Sequence, residues 1–233
     1  MKILAIGAHP DDVELSCFGT LALCVSRGDT VVVCSVTNGN LGHKKLDKET
    51  LSLVRMVEGA EASKVIGSSY CTLEIDDMKV DENSDEQILK VVNLIRSVNP
   101  EIIITHSENE YHSDHTAVNK LVFKSSHLAS IPNYETKNSP ITHIPYIIYM
   151  DSVEGAPFIG DTWVDISDTF ELKMKAIGCH TSQLEGKEEE DYTDLFHIAE
   201  ATASYRGLMC NARVAEVFKH CDKRRVPTKR LLP

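Results

Sequence analysis

From Lys2 to Val164 the chain alternates short β-branched and aliphatic runs with longer stretches of helical periodicity. A parallel sheet covered by helices has that pattern, because each parallel strand must return through a crossover. The expected strands are Lys2–Gly7, Thr30–Val36, Cys71–Ile75, Glu101–Thr105, Tyr146–Met150 and Thr162–Val164. The expected helices are Val13–Arg27, Thr50–Val65, Asp85–Val98, His115–Ala129, Asp168–Ser182 and Leu195–Met209. Ser84 can cap the third of these, and Pro100 follows its end. Residues 130–145, with Pro132, Pro140 and Pro145, read as a loop. So do residues 183–194, with Gly186 and the acidic run Glu188-Glu189-Glu190-Asp191, which is assigned to a solvated face. Patterning resumes after each loop, so residues 1–233 read as one doubly wound α/β domain.

Composition narrows the function classes. The net charge of −11 disfavours a nucleic-acid partner, which needs a basic face. Lys219, Lys223, Arg224, Arg225, Lys229 and Arg230 gather near the end, so residues 219–233 read as a solvated basic tail. Met1-Lys2 runs directly into the first strand, so no leader is expected, and no apolar stretch is long enough to span a bilayer. Seven scattered cysteines without a Cys-x-x-Cys pair suit reduced thiols and a cytoplasmic location.

Open parallel sheets gather their sites at the carboxyl ends of strands. Two loops there hold nearly all the metal-competent side chains. Gly7-Ala8-His9-Pro10-Asp11-Asp12 follows the first strand, and His106 to His115 follow the fourth. In the first loop His9 and Asp12 are good zinc ligands. Adjacent carboxylates cannot readily point the same way, which leaves Asp11 to face the open coordination position as a general base. Taken alone, this segment reads equally well as a ligand pair or as a strand end followed by an N-cap. His112-x-Asp114-His115 tips the balance, adding a third ligand and a His–Asp pair at a neighbouring strand end. Two histidines and a carboxylate leave one position open, as in a catalytic zinc site; iron(II) suits the same set.

Ala8-His9-Pro10-Asp11-Asp12-Val13-Glu14, Gly19-Thr20-Leu21-Ala22 and His112-Ser113-Asp114-His115 resemble the LmbE-like, or PIG-L, family of zinc-dependent N-deacetylases. Thr37-Asn38-Gly39, Arg55-x-x-Glu58 with Ala60 and Ala62, Lys175-Ala176, His180-Thr181-Ser182-Gln183 and Ala215-Glu216-x-Phe218 match in the same order. The resemblance implies a Rossmann-like three-layer sandwich with a mostly parallel sheet. It also implies hydrolysis of the acetamide of an N-acetylglucosaminyl group joined to inositol, malate, lipid or another sugar. His9, Asp12 and His115 would bind zinc, with Asp11 the general base. His112, oriented by Asp114, would stabilise the oxyanion or act as general acid. Arg55 would hold the sugar. Asn40 stands near the sugar, where members often carry an acidic residue.

Two further departures concern the second loop. His-Ser-Asp-His replaces the usual His-Pro-Asp-His, and Glu110 stands where some members have a tyrosine. His106 reads as a hydrogen-bonded strand-end histidine and His180 as a supporting residue near the pocket. Asp76-Asp77 reads equally well as a substrate contact or a capped turn. The expected partner is a small amino-sugar conjugate, and self-association is compatible with the sequence. The rival class is a non-catalytic, metal-containing protein that binds a sugar or nucleotide. No Gly-x-Gly-x-x-Gly follows the first strand, which disfavours a dinucleotide.

Overall fold

The computed structural model of the chain describes residues 1–153, 156–185 and 194–233. Strands β1 (Lys2–Gly7), β2 (Thr30–Thr37), β3 (Ser69–Ile75), β4 (Ile102–Thr105), β5 (Tyr146–Met150), β6 (Thr162–Asp165) and β7 (Ala215–His220) form one sheet in the order β3-β2-β1-β4-β5-β7-β6. β1 to β5 run parallel, whereas β7 is antiparallel to both β5 and β6. The helices are α1 (Asp12–Ser26), α2 (Lys48–Lys64), α3 (Asp85–Val98), α4 (Ser113–Leu128), α5 (Phe170–Ile177), α6 (Thr181–Leu184) and α7 (Leu195–Cys210).

The central strand is apolar on both faces because helices cover both. Ile3 and Ala5 join one core cluster with Phe18 and Leu21 of α1; Leu4 and Ile6 join the other with Ile95 of α3 and Leu121 of α4. This period-2 division between two helix layers makes the three-layer sandwich. Gly19 matters to its thickness: a Cβ there would lie 2.8 Å from the Ile166 side chain. β1 has β2 on one side and β4 on the other, so the crossovers diverge between β1 and β4. A crevice opens at such a switch point, and both histidine-bearing loops flank it. Ser84 caps α3 as expected, accepting the Gln87 N–H, and left-handed Asn99 ends that helix before Pro100.

Three expectations change. β7 is a strand the pattern did not reveal, because it carries a buried glutamate, Glu216. Lys173 Nζ donates to Glu216 Oε1 at 2.6 Å and to Leu15 O at 2.7 Å; the Gly19 and Thr20 N–H groups donate to the same carboxylate. Lys173, 2% exposed, hides equally well within α5. The helix expected over Asp168–Ser182 is two, α5 and α6, broken at Gly178-Cys179-His180. The break turns His180 inward, where it is fully buried. The basic tail is not simply solvated. Leu231 and Leu232 are buried in the core cluster that also holds Phe18 and Leu21, and the Arg224 guanidinium lies 4.3 Å from the Phe123 ring centroid. Gly186 and the acidic run lie outside the described residues. Among the described residues no helix is long and apolar enough to cross a membrane.

Candidate active site

The β1–α1 turn separates its two aspartates by bending the backbone. Asp11 has φ 124°, a conformation that L-residues avoid and that costs on the order of 1–3 kcal/mol. Asp12 turns inward, where Oδ2 accepts the His9 N–H at 2.6 Å. Asp11 pairs instead with Arg55, its Oδ2 accepting from Nη2 at 2.9 Å.

Two imidazole nitrogens and the Asp12 carboxylate converge. His115 Nε2 lies 3.3 Å from both His9 Nδ1 and Asp12 Oδ1, and His9 Nδ1 lies 3.5 Å from Asp12 Oδ2. A tetrahedron with centre-to-corner bonds of about 2.0–2.1 Å has edges of about 3.3–3.4 Å. Both His115 contacts have that length, and the His9–Asp12 contact, made through the other carboxylate oxygen, is slightly longer, so the donor set is close to what a small divalent cation takes. Two overlapping groups of ligand atoms each lie within 4.8 Å: His9, His112 and His115, and Asp12, His106 and His115.

Each histidine of the converging trio has a carboxylate at its far nitrogen. Asp114 Oδ2 lies 3.3 Å from His9 Nε2 and accepts the Met78 N–H at 2.7 Å. Glu110 Oε2 lies 3.4 Å from His115 Nδ1. The expected orientation of His112 by the Asp114 carboxylate is therefore replaced: that carboxylate serves His9. The Asp114 backbone N–H donates to His112 Nδ1 at 3.1 Å instead. A ring whose Nδ1 accepts carries its proton on Nε2, so His112 presents an N–H donor beside His9, 4.7 Å between ring centroids.

Electrostatics keep these roles apart. Burial works against the Asp12 carboxylate, but His115 and His106 beside it outweigh burial and hold its pKa well below the ordinary range. Burial pushes the Asp11 pKa up, against the pull of Arg55. Burial alone would lower His9, yet Asp114 and Asp12 carry it to about 10; Asp12 and Glu110 carry His115 to about 9. Protons thus compete with a cation for this cluster. His112 is lowered by burial and by the charges on His9 and His115, which favours its neutral form.

Two residues expected at the substrate are otherwise engaged. Arg55 is 3% exposed; besides Asp11 it donates to Pro10 O and to Gly39 O. Gly39 has φ +72°, and a Cβ there would lie 2.6 Å from Arg55 Cδ, so only glycine lets the guanidinium pass. Arg55 thus holds the candidate base. One turn along α2, Glu58 accepts Thr181 Oγ1 and Ser182 N at Oε1, and Ser182 Oγ at Oε2. The Arg-x-x-Glu spacing ties the β1–α1 turn and the α5–α6 break to one helix face. Asn40 is buried, with Nδ2 on Asp76 Oδ1 at 2.7 Å and Oδ1 accepting the Asp77 N–H. Asp77 in turn accepts the Gly39 and Leu41 N–H groups. The Asp76-Asp77 pair therefore braces the β2–α2 loop, and Asn40 belongs to that brace.

His106 and Glu110 enter the cluster more closely than the sequence indicated. His106 Nε2 accepts the Ala8 N–H at 2.9 Å, as a strand-end histidine should, and also lies 3.1 Å from Asp12 Oδ2. The only available signal for Glu110 was a carboxylate in the same loop as His112 and His115. His180 lies 3.7 Å from Glu14 Oε1, and neither ring nitrogen has a hydrogen-bond partner among the described residues.

The family model described as PIG-L, GlcNAc-PI de-N-acetylase, matches residues 4–126 and takes in both histidine loops. The chain belongs to the PIG-L family. It is 28% identical over 218 residues to the probable N-acetyl-α-D-glucosaminyl L-malate deacetylase 2 of Bacillus cereus, covering 87% of this chain and 93% of that protein. It is 26% identical over 226 residues to the diacetylchitobiose deacetylase of Thermococcus kodakarensis, covering 92% and 81%. Among solved structures, the conserved protein TT1542 of Thermus thermophilus superposes with a TM-score of 0.82 at 26% identity, over 98% of this chain and 99% of that one. The PIG-L match ends near the end of α4, while the fold likeness continues through β7.

Proposed function

We propose that the chain is a zinc-dependent N-deacetylase that hydrolyses the acetamide of an N-acetylglucosamine-type sugar conjugate, releasing acetate and the free amino sugar. One observation carries this reading: His9 Nδ1 and His115 Nε2 lie 3.3 Å apart and each within 3.5 Å of the Asp12 carboxylate, while the neighbouring Asp11 carboxylate is held separately by Arg55 on strained backbone. His9, Asp12 and His115 would hold the metal. Zinc there would supply a Lewis acid for the carbonyl and acidify water at the open position; iron(II) suits the same ligands.

The chain's own groups divide the remaining work. Asp11 takes one proton from the attacking water as its oxygen bonds to the carbonyl carbon. Burial raises the affinity of Asp11 for that proton, and Arg55 beside it pulls the other way. His112 donates its Nε2–H to the oxyanion, a contact that strengthens as charge develops. When the C–N bond breaks, the proton held by Asp11 passes to the departing nitrogen. Asp114 positions His9, and through its backbone His112. Seven free thiols agree with a cytoplasmic location.

A non-catalytic binder is the weaker reading, since it has no use for a strained, buried base beside the ligand set. Acetate release is to be measured on N-acetylglucosamine joined to malate, inositol, lipid or a second sugar, before and after chelation and zinc return. Turnover lost on chelation and restored by zinc is expected for at least one conjugate. Sugar binding without acetate release by the zinc-loaded protein would establish the binder.

A further inference from the structure

We propose that Glu110 is a positioning residue that sets the tautomer and aim of the His115 imidazole, and so the affinity of the site for its metal. This rests on the reading of His9, Asp12 and His115 as ligands, and concerns a residue that departs from the tyrosine of some family members.

The geometry is a ring of contacts closed on three sides. Glu110 Oε2 faces His115 Nδ1 at 3.4 Å, His115 Nε2 faces Asp12 Oδ1 at 3.3 Å, and Asp12 Oδ2 faces His106 Nε2 at 3.1 Å. On the fourth side His106 Nδ1 lies 3.8 Å from Glu110 Oε1, beyond hydrogen-bond reach. The His106 and His115 rings stack between the two carboxylates, with centroids 3.9 Å apart and planes 17° from parallel. Glu110 is anchored in turn by Ser152 Oγ, which donates to Oε2 at 3.0 Å.

A carboxylate can only accept at His115 Nδ1, so the neutral ring that binds a cation keeps its proton there and turns its Nε2 lone pair toward His9 and Asp12. The stacked His106 ring keeps the imidazole from rotating out of that plane. The Glu110 side chain is 1% exposed, and its Oε1 has no hydrogen-bond donor among the described residues. A carboxylate desolvated this far, with one oxygen unmatched, is a poor structural brace and an effective partner for a cationic site. Asp114 does for His9 what Glu110 does for His115, from the opposite ring nitrogen.

The test is zinc affinity by competition with a chromogenic chelator, on wild type, Glu110→Gln, Glu110→Ala and Ser152→Ala. Apo-protein circular dichroism and thermal unfolding accompany each measurement. Partners of metal-ligating histidines are worth about 10–100-fold in metal affinity. Glu110→Ala is expected to weaken zinc by that factor with the apo fold intact. Glu110→Gln, which keeps an acceptor but no charge, should fall between it and wild type, and Ser152→Ala should shift affinity in the same direction by less. Near-native zinc affinity in Glu110→Ala and Glu110→Gln, whatever their turnover, would overturn the proposal. So would a loss in Glu110→Ala matched by apo unfolding while the folded Glu110→Gln binds as wild type. Absence of stoichiometric zinc in the wild type itself would instead break the metal reading beneath it.

Discussion

Two buried charge clusters lie within the same three layers, and they are built to opposite ends. Around Lys173 and Glu216 every charge is matched: the ammonium meets a carboxylate and the Leu15 carbonyl, and that carboxylate also takes the Gly19 and Thr20 N–H groups. Around Asp12 the imidazoles of His9, His106 and His115 face the carboxylates of Asp12, Asp114 and Glu110, yet Glu110 Oε1 makes no hydrogen bond among the described residues. The first cluster joins α1, α5 and β7. The second carries an unmatched buried carboxylate oxygen, Glu110 Oε1, and its base sits at a strained φ of 124°. A satisfied buried network points to structure; an unsatisfied one at a strand's carboxyl end points to chemistry.

The comparison breaks first at Lys173. Replacing it with Met leaves Glu216 buried without its counter-charge, a loss on the order of 3–5 kcal/mol of folding stability. Denaturant unfolding should show that loss, while zinc content per folded molecule stays at wild-type level. A Lys173→Met protein with unchanged stability would remove the structural half of the contrast.

The site half is next. Removing one oxyanion donor costs roughly 10²–10³ in kcat. His112→Ala should show that drop with zinc retained and stability little altered, since His112 is only half-buried and caps α4 through a single bond. A His112→Ala enzyme that loses its zinc instead would move His112 into the ligand set that its proximity to His9 and His115 also allows.

The smallest effect sharpens the role of Arg55. Burial raises the Asp11 pKa and Arg55 lowers it, so Arg55→Gln should raise it further. A base works only when deprotonated, so the acid limb of kcat/KM should move to higher pH, by about 1 unit for each 1.36 kcal/mol of lost attraction. An unmoved limb with a raised KM would return Arg55 to the sugar, as the sequence suggested.

Much of the site was legible because its parts are local. A histidine and two aspartates at the end of β1, and His112-x-Asp114-His115 at the start of α4, declare themselves by position between a strand and a helix. What could not be read were pairings across the fold. Asp11 and Arg55 meet across 44 residues, and His9 and Asp114 across 105. Nothing in spacing says that Asp114 backs His9 with its side chain and His112 with its backbone. Asn40 looked free because its partners, Asp76 and Asp77, come from the next strand's loop. β7 escaped because a buried glutamate breaks the apolar run of a strand interior, and the α5–α6 break because Gly178 alone does not end a helix. Propensity saw neither Lys173 nor Glu58, whose tertiary partners account for those two features.

The claim that metal binding and proton transfer are split between adjacent aspartates is tested most directly by Asp11→Asn. Zinc content by elemental analysis and acetate release are to be measured on the same preparation. Loss of a general base should lower turnover by roughly 10²–10⁴-fold while one zinc per chain remains. Near wild-type acetate release, or loss of the zinc itself, would contradict the account.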